Sequence, residues 1–230
     1  MKIAILQFPG SNCDRDAVAA FSAMEGIEAY LHWHKDTDLS SVGAVVVPGG
    51  FSFGDYLRCG AIARFSPVLE SLIRFANEGG AVLGICNGFQ ILCEAGLLPG
   101  ALIRNECLEF RCQLADLEVV PRKGLFSRET LGPRLRLPIA HGEGNYRADE
   151  ATLDALEAKA QILLRYAPDG GNPNGSARDI AAICNPVGNV IGMMPHPERA
   201  VAGWHPNTDG IGVLCALVAL AKGTSPVPVG

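Results

Sequence analysis

Cys86 stands between Gly84 and Gly88, at the end of an apolar run over residues 80–83 and inside the segment Gly84-Ile85-Cys86-Asn87-Gly88-Phe89-Gln90. A buried strand that turns abruptly into a helix around a nucleophile needs glycine two residues to either side, because side chains there would collide. A cysteine at such a turn sits at the helix N-terminus. There the positive end of the helix dipole and the free backbone N–H groups favour thiolate, the nucleophilic form, over thiol. Cys86 is therefore the first candidate for catalysis, although G-x-C-x-G alone fits a buried structural cysteine beside a glycine turn equally well.

The second group is Pro195-His196-Pro197-Glu198-Arg199, delivered by an apolar run over 190–194 that reads as a buried strand. Prolines on both sides of His196 forbid an ordinary helix and hold the imidazole on a restricted backbone, which suits a general base. Glu198 can accept the other imidazole N–H, fixing the tautomer and stabilising the imidazolium as the third member of a triad. The third group follows a short β-branched strand over 44–47 and reads Pro48-Gly49-Gly50-Phe51-Ser52. A Gly-Gly pair past a strand lets backbone approach a ligand, so the N–H groups of Gly50 and Asn87 are candidate oxyanion donors. A plain turn is the competing reading. No G-x-x-x-x-G-K-[ST] or G-x-G-x-x-G pattern follows that would make it a phosphate loop.

These groups need elements to hold them. The first half alternates strands over 3–8, 29–33 and 44–47 with a helix over 17–24, which implies a parallel sheet. Ser66 and Pro67 open a further helix as N-cap and first residue, and Gly79 with Gly80 ends it just before the strand that leads to Cys86. From about residue 114 strands separated by turns take over, at 117–120, 135–140 and 161–166, with 180–184 pairing 190–194 across a turn. The expected fold class is α/β: a single domain over 1–222, an open, mostly parallel, twisted, flavodoxin-like sheet flanked by helices, with an antiparallel extension. A tail over 223–230 is expected to fray. Ligands bind such sheets at the carboxyl ends of the strands, and Gly50, Cys86 and His196 all follow strand ends.

Composition agrees. With 230 residues, 48% of them hydrophobic, the chain can bury a full core, and a net charge of -5 with 19% charged residues provides no basic footprint for nucleic acid. Eight cysteines occur without a C-x-x-C pair, several within apolar runs, which favours free buried thiols in a reducing compartment. The apolar start is too short for a signal peptide and the apolar stretch over 211–221 too short to span a bilayer, so a cytoplasmic location is expected.

The order Pro-Gly-Gly-Phe, Gly-Ile-Cys-Asn-Gly-Phe-Gln, Pro-His-Pro-Glu resembles the class I (triad) glutamine amidotransferases. The segments QFPGSNCD (7–14), GGFSFGDYLRCGAIA (49–63), HGEGNY (141–146), NPNGS (172–176) and MMPHPERA (193–200) narrow the likeness to the glutaminase subunits of phosphoribosylformylglycinamidine synthases, of de novo purine synthesis, over about residues 2–221. The hairpin expected over 167–171, before NPNGS, looks shorter than is usual in that family. The resemblance implies that the side-chain amide of glutamine is hydrolysed through a thioester on Cys86, with no cofactor or metal on this chain. Ammonia would pass to a separate synthetase subunit that carries ATP and magnesium and converts formylglycinamide ribonucleotide, with a small accessory subunit present. It further implies that Gln90 meets the α-amino acid end of glutamine and that His141 and Gly142 supply backbone contacts. Read from the residues alone, Gln90 is a helix-surface amide and His141-Gly142 a turn.

A glutaminase serving a different synthetase, or a non-catalytic partner-stabilising subunit, are the alternatives; the complete set of Cys86, His196 and Glu198 argues against the latter. A peptidase of similar fold would place histidine directly after its nucleophile, where this chain has Asn87. His32 and His34 share one strand face as metal ligands can, but lack a further ligand at sensible spacing, so a half-solvated strand is expected. Asp55, Tyr56 and Arg58 fit either docking to a partner or local loop packing.

Overall fold

The computed structural model describes residues 1–224. One nine-stranded sheet runs through it. Its first half comprises β1 (Lys2–Gln7), β2 (Glu28–Trp33), β3 (Ala44–Val47) and β4 (Ala81–Ile85), all parallel, with α1 (Asp14–Ser22) and α2 (Pro67–Asn77) between them. Ile3, Ala4, Ile5 and Leu6 of β1 and every residue of β3 are buried, as in strands covered on both faces, which is why these runs are continuously apolar rather than alternating. After β4 the chain enters α3 (Asn87–Glu94), then β5 (Ala101–Ile103), β6 (Arg111–Val119), α4 (Arg128–Leu131), β7 (Arg134–His141), β8 (Asn145–Arg147), α5 (Glu150–Ala158), β9 (Ile162–Tyr166), β10 (Ile180–Cys184), β11 (Val190–Met193) and α6 (Gly210–Lys222).

Strand order is β2-β1-β3-β4-β11-β10-β9-β6-β7. β11 pairs in parallel with β4, placing Met193 opposite Ile85, so the chain segments bearing Cys86 and His196 leave the same end of adjacent strands. From β11 outward the pairings are antiparallel through β10, β9, β6 and β7, the expected extension. Two elements differ from the expectation. The first helix begins at Asp14, directly after Cys13, because Asp14 and Asp16 place negative charge in its first turn. The helix α5, capped by the Asp149 carboxylate on the Thr152 N–H at 2.8 Å, was not anticipated, nor was the small separate sheet of β5 with β8. At the far end Gly223 is the left-handed C-cap of α6 (φ 63°). Residues 225–230 of the expected tail lie outside the described residues. Among the described residues no helix is long and apolar enough to cross a membrane.

Between β4 and α3 the backbone makes its sharpest bend. Cys86 adopts φ 52° and ψ −107°, a conformation rare for a residue with a side chain. Both flanking glycines are required, for two different reasons. A Cβ on Gly84 would come within 2.8 Å of the Gly88 carbonyl group, whereas a Cβ on Gly88 would lie 1.8 Å from the carbonyl oxygen of Val47 in β3. The bend is therefore pressed against the neighbouring strand as well as against itself. Gly88→Ala should destabilise the fold by more than about 2 kcal/mol. Gly203→Ala, where an added Cβ meets nothing within 4 Å, should leave the thermal unfolding midpoint unchanged in the same calorimetric scan.

Candidate active site

The bend places the buried Cys86 at the end of β4, where its backbone N–H donates to the Met193 carbonyl at 2.8 Å and so ties the turn to β11. His196 follows β11 and is held from the other side, its N–H donating to the Pro138 carbonyl of β7 at 2.8 Å. Its ring is 1% exposed, and Nδ1 stands 2.7 Å from Oε1 of the equally buried Glu198. Gly49 leaves the space in which the groups meet: a Cβ there would lie 2.7 Å from His196 Cε1, 3.1 Å from Cys13 Sγ and 3.4 Å from Cys86 Cβ. The structure thus brings together Cys86, His196 and Glu198, the three side chains singled out for catalysis.

Electrostatics at the ring follow from these contacts. Burial alone would lower the pKa of His196, but the Glu198 carboxylate and then the Cys13 and Cys86 thiols outweigh it and raise the pKa well above the ordinary histidine value. His141 behaves oppositely. Burial, then the nearby charge of His196, lowers its pKa to about 4. Its hydrogen bonds fit a neutral ring, with Nδ1 3.2 Å from Asn105 Oδ1 and Nε2 3.4 Å from Asn174 Nδ2. His196 Nε2 and Glu198 Oε2 are buried without a hydrogen-bond partner. An imidazole with one nitrogen on a carboxylate and the other uncommitted beside a thiol can take and return a proton.

A cavity of about 370 Å³ opens from Cys86 and is lined by Gly50, Gln90, His141 and Gly142, four of the residues expected to bind or polarise substrate. Gln90 is no surface amide: it is 4% exposed, its Nε2 donates to the Glu143 carbonyl at 2.6 Å, and its Oε1 accepts from Asn87 Nδ2 at 2.9 Å. The backbone N–H of Asn87 lies in the first turn of α3, where N–H groups have no intrahelical acceptor. Gly50 has φ 146° and bridges to Ser11, while Phe51 N–H donates to Gly10 at 3.0 Å, so the loop after β1 fixes the angle of the Gly-Gly pair. NPNGS serves the neighbouring loop: Asn174 Nδ2 donates to the Gly144 carbonyl at 2.8 Å and Ser176 Oγ accepts from Tyr146 N at 3.0 Å.

His32 and His34 share a face as expected but are 4% and 5% exposed, not half-solvated; His32 Nε2 meets the Asp36 carbonyl at 2.9 Å and His34 Nδ1 meets Ser66 Oγ at 3.1 Å. Arg58 is engaged in loop packing through two bonds to Glu94 at 2.6 and 2.7 Å, while Tyr56 is 73% exposed and Asp55 lines the cavity. Cys13 is the residue the sequence reading missed. Its Sγ lies 3.2 Å from Arg199 Nη2, and it lines a recess of about 180 Å³ together with Cys86 and His196. Cys13, His196 and Glu198 have donor atoms within 4.8 Å of one another, the one set among the described residues with the spacing to hold a metal ion. The signal was present in QFPGSNCD, but only the fold shows that this motif abuts the Gly-Gly turn.

Residues 1–210 match the model of the CobB/CobQ-like glutamine amidotransferase domain. The chain belongs to that glutamine amidotransferase family. It is 55% identical over 219 residues to the phosphoribosylformylglycinamidine synthase subunit PurQ of Synechococcus elongatus, covering 95% of this chain and 98% of that protein. To the subunit of the same name from Moorella thermoacetica it is 54% identical, with 95% of each chain covered. Among solved structures it is similar to a chain of PurLQS from Thermotoga maritima, with a TM-score of 0.84, 38% identity, and coverage of 94% of this chain and 97% of that one. The glutaminase domain of the Trypanosoma brucei CTPS, at a TM-score of 0.62 and 14% identity, with 98% of this chain and 95% of that one covered, shares the fold.

The site makes one pH prediction. Since His141 has a folded pKa of about 4 against 6.5 in the free side chain, the unfolded chain binds its proton first, and the native state loses stability as pH falls through that window. The contribution is fully present above about pH 6.5 and shrinks by about 3 kcal/mol on approaching pH 4. His196 has the opposite sign and its contribution is already complete below pH 6.5. His141→Gln should therefore flatten the difference in unfolding free energy between pH 6.5 and 4, measured by denaturant titration of both proteins.

Proposed function

We propose that this chain is the glutaminase subunit of a phosphoribosylformylglycinamidine synthase, hydrolysing glutamine to glutamate and ammonia. The observation that carries the reading is the buried contact of His196 Nδ1 with Glu198 at 2.7 Å beside a cysteine on a strained strand-to-helix bend. Cys86 attacks the side-chain amide carbonyl and forms a C–S bond. The oxyanion rests on the N–H groups of Gly50 and Asn87. His196 carries the thiol proton to the departing nitrogen, which leaves as ammonia, and a thioester remains. Water then adds with His196 as base, the C–S bond breaks, glutamate is released, and the proton held by His196 restores the Cys86 thiol. Glu198 holds His196 in the tautomer that presents Nε2 to these transfers. Gln90, His141 and Gly142 shape the cavity that receives glutamine.

None of these steps needs a cofactor on this chain. The ammonia acceptor, formylglycinamide ribonucleotide, is assigned with ATP and magnesium to a separate synthetase subunit, with help from a small accessory subunit. The names of the similar proteins support this assignment, since the PurLQS structure contains a chain like this one over nearly its whole length. Eight cysteines, all free, support a reducing and hence cytoplasmic compartment.

Replacing Cys86 by Ala in the assembled complex should abolish glutamine-dependent conversion of the ribonucleotide while leaving conversion driven by added ammonium salt nearly intact. Loss of both reactions from an intact complex would place part of the acceptor site on this chain. Glu198→Gln should lower glutamine hydrolysis by about a hundredfold or more with the fold retained. A chloroketone analogue of glutamine should alkylate Cys86. The exposed Cys107, whose pKa is lowered by its hydrogen bond to the Glu109 backbone and by Arg111, should react with simple alkylating agents but not selectively with the analogue.

A further inference from the structure

Cys13 is a buried thiol that the proposed reaction does not use. Backbone fixes its place: its N–H donates to the Gly49 carbonyl at 3.3 Å, and its own carbonyl accepts from Ala17 N at 3.1 Å where α1 begins. The sulfur is thereby set beside the triad, and Cys13, His196 and Glu198 each offer a donor atom within 4.8 Å of the other two. Two polar atoms of this group, His196 Nε2 and Glu198 Oε2, are buried without a hydrogen-bond partner, a state that an ion in the site would relieve. A thiolate, an imidazole and a carboxylate at this spacing are ligands of zinc, whereas magnesium and calcium take oxygen sets. The surroundings fit an ion as well. Gly49 leaves room, since a Cβ there would lie 2.7 Å from His196 Cε1 and 3.1 Å from Cys13 Sγ. A recess of about 180 Å³, lined by Cys13, Cys86, His196 and Arg199, leads to the group and can hold an ion with water. Arg199, itself held by Asp16 at 2.9 Å, places Nη2 at 3.2 Å from Cys13 Sγ, and an N–H aimed at a coordinating thiolate offsets its charge and fixes its direction.

We propose that Cys13, His196 and Glu198 form an inhibitory zinc site. The ion occupies the imidazole that otherwise carries the proton between Cys86 and the departing nitrogen, so bound zinc and glutamine hydrolysis exclude one another. Binding releases the thiol proton of Cys13 and one ring proton of the His196 imidazolium to water, and each freed electron pair enters a bond to the metal, with no change of oxidation state. The inhibition rests on the glutaminase reading above; the metal site itself does not.

The test assays the assembled complex in chelator-buffered zinc, with glutamine and, separately, ammonium salt as the nitrogen source. Zinc should suppress the glutamine-dependent reaction and leave the ammonium-driven one unchanged, and excess chelator should restore the loss. Cys13→Ala and Cys13→Ser, each scored against its own zinc-free rate, should need at least about tenfold more free zinc for half inhibition. Cobalt(II) in place of zinc provides a readout besides activity, because a thiolate ligand produces a sulfur-to-metal charge-transfer absorption. That band should form on the wild type and on Cys86→Ala and be lost from Cys13→Ala. Should the Cys13 variants not assemble, the band on Cys86→Ala and its loss when His196→Ala is added decide the matter. Equal suppression of both reactions, unchanged zinc sensitivity without Cys13, or a cobalt band that persists without Cys13 or His196 would overturn the proposal. Failure of the glutaminase reading looks different: the zinc-free complex would show no glutamine-dependent conversion, while the cobalt band still formed.

Discussion

Everything at the site hangs on the bend at Cys86. A residue with a side chain at φ 52°, ψ −107° is held there only because the structure on both sides leaves no alternative. Its N–H is bonded into β11, its carbonyl accepts from Gln90 N at 3.2 Å, and Gly88 lies so close to Val47 that no Cβ fits. Consequently β3, β4 and β11 are locked in register around the nucleophile, and the same three strands launch Gly50, Cys86 and His196. Relaxing the bend would displace the thiol and, through the loss of its bond to Met193, the strand that carries the histidine.

The second constraint is charge in a dry place. His196 and Glu198 are almost wholly buried, which for an isolated ion would be prohibitive, so each is tolerable only beside the other. The carboxylate stabilises the imidazolium through the direct 2.7 Å contact. His141, close enough to feel that charge, is kept neutral by burial and by two amide partners. Two histidines in one neighbourhood are thus pushed in opposite directions. That separation suits them to different parts: His196 has the environment of a proton-exchanging group, and His141 orders the Asn105, Gly144 and Asn174 network that shapes the cavity wall.

What was legible in the sequence was local. Gly84, Cys86 and Gly88 announce the bend because part of its steric demand, Gly84 against Gly88, lies within five residues, and Pro195, His196, Pro197 and Glu198 announce a fixed base because proline acts on its own neighbours. The parallel half of the sheet was legible too, since strands buried on both faces leave unbroken apolar runs. Cys13 escaped because its importance depends on α1 beginning where the loop meets Gly49, a contact across 36 residues of chain. Gln90 looked exposed for the same reason: helical spacing tells which face it shares with Cys86, but only the return of the 141–144 loop shows that the face is covered. The helix α5 was missed because its apolar residues Leu153 and Leu156 are too few to mark a strong stripe, and its end is set by the Asp149 cap instead.

The site divides into halves of different mechanical character. Cys86, His196 and Glu198 leave the ends of central strands, where neighbours on both sides fix the backbone. The residues at the other end of the cavity ride on loops, and those loops carry apolar side chains in water: Phe51 is 46% exposed, Tyr56 73%, Leu57 92% and Phe110 53%. Exposed aromatic and aliphatic groups crowded around a cavity mouth are what a protein partner covers. A glutaminase that releases ammonia for use on another chain benefits when its chemistry waits for that chain. Such control requires a rigid reactive half and a substrate-holding half whose conformation a partner can favour. The run with Phe53, Asp55 and Leu57 at positive φ belongs to that second half, where Asp55 lines the cavity and the surroundings hold the conformation.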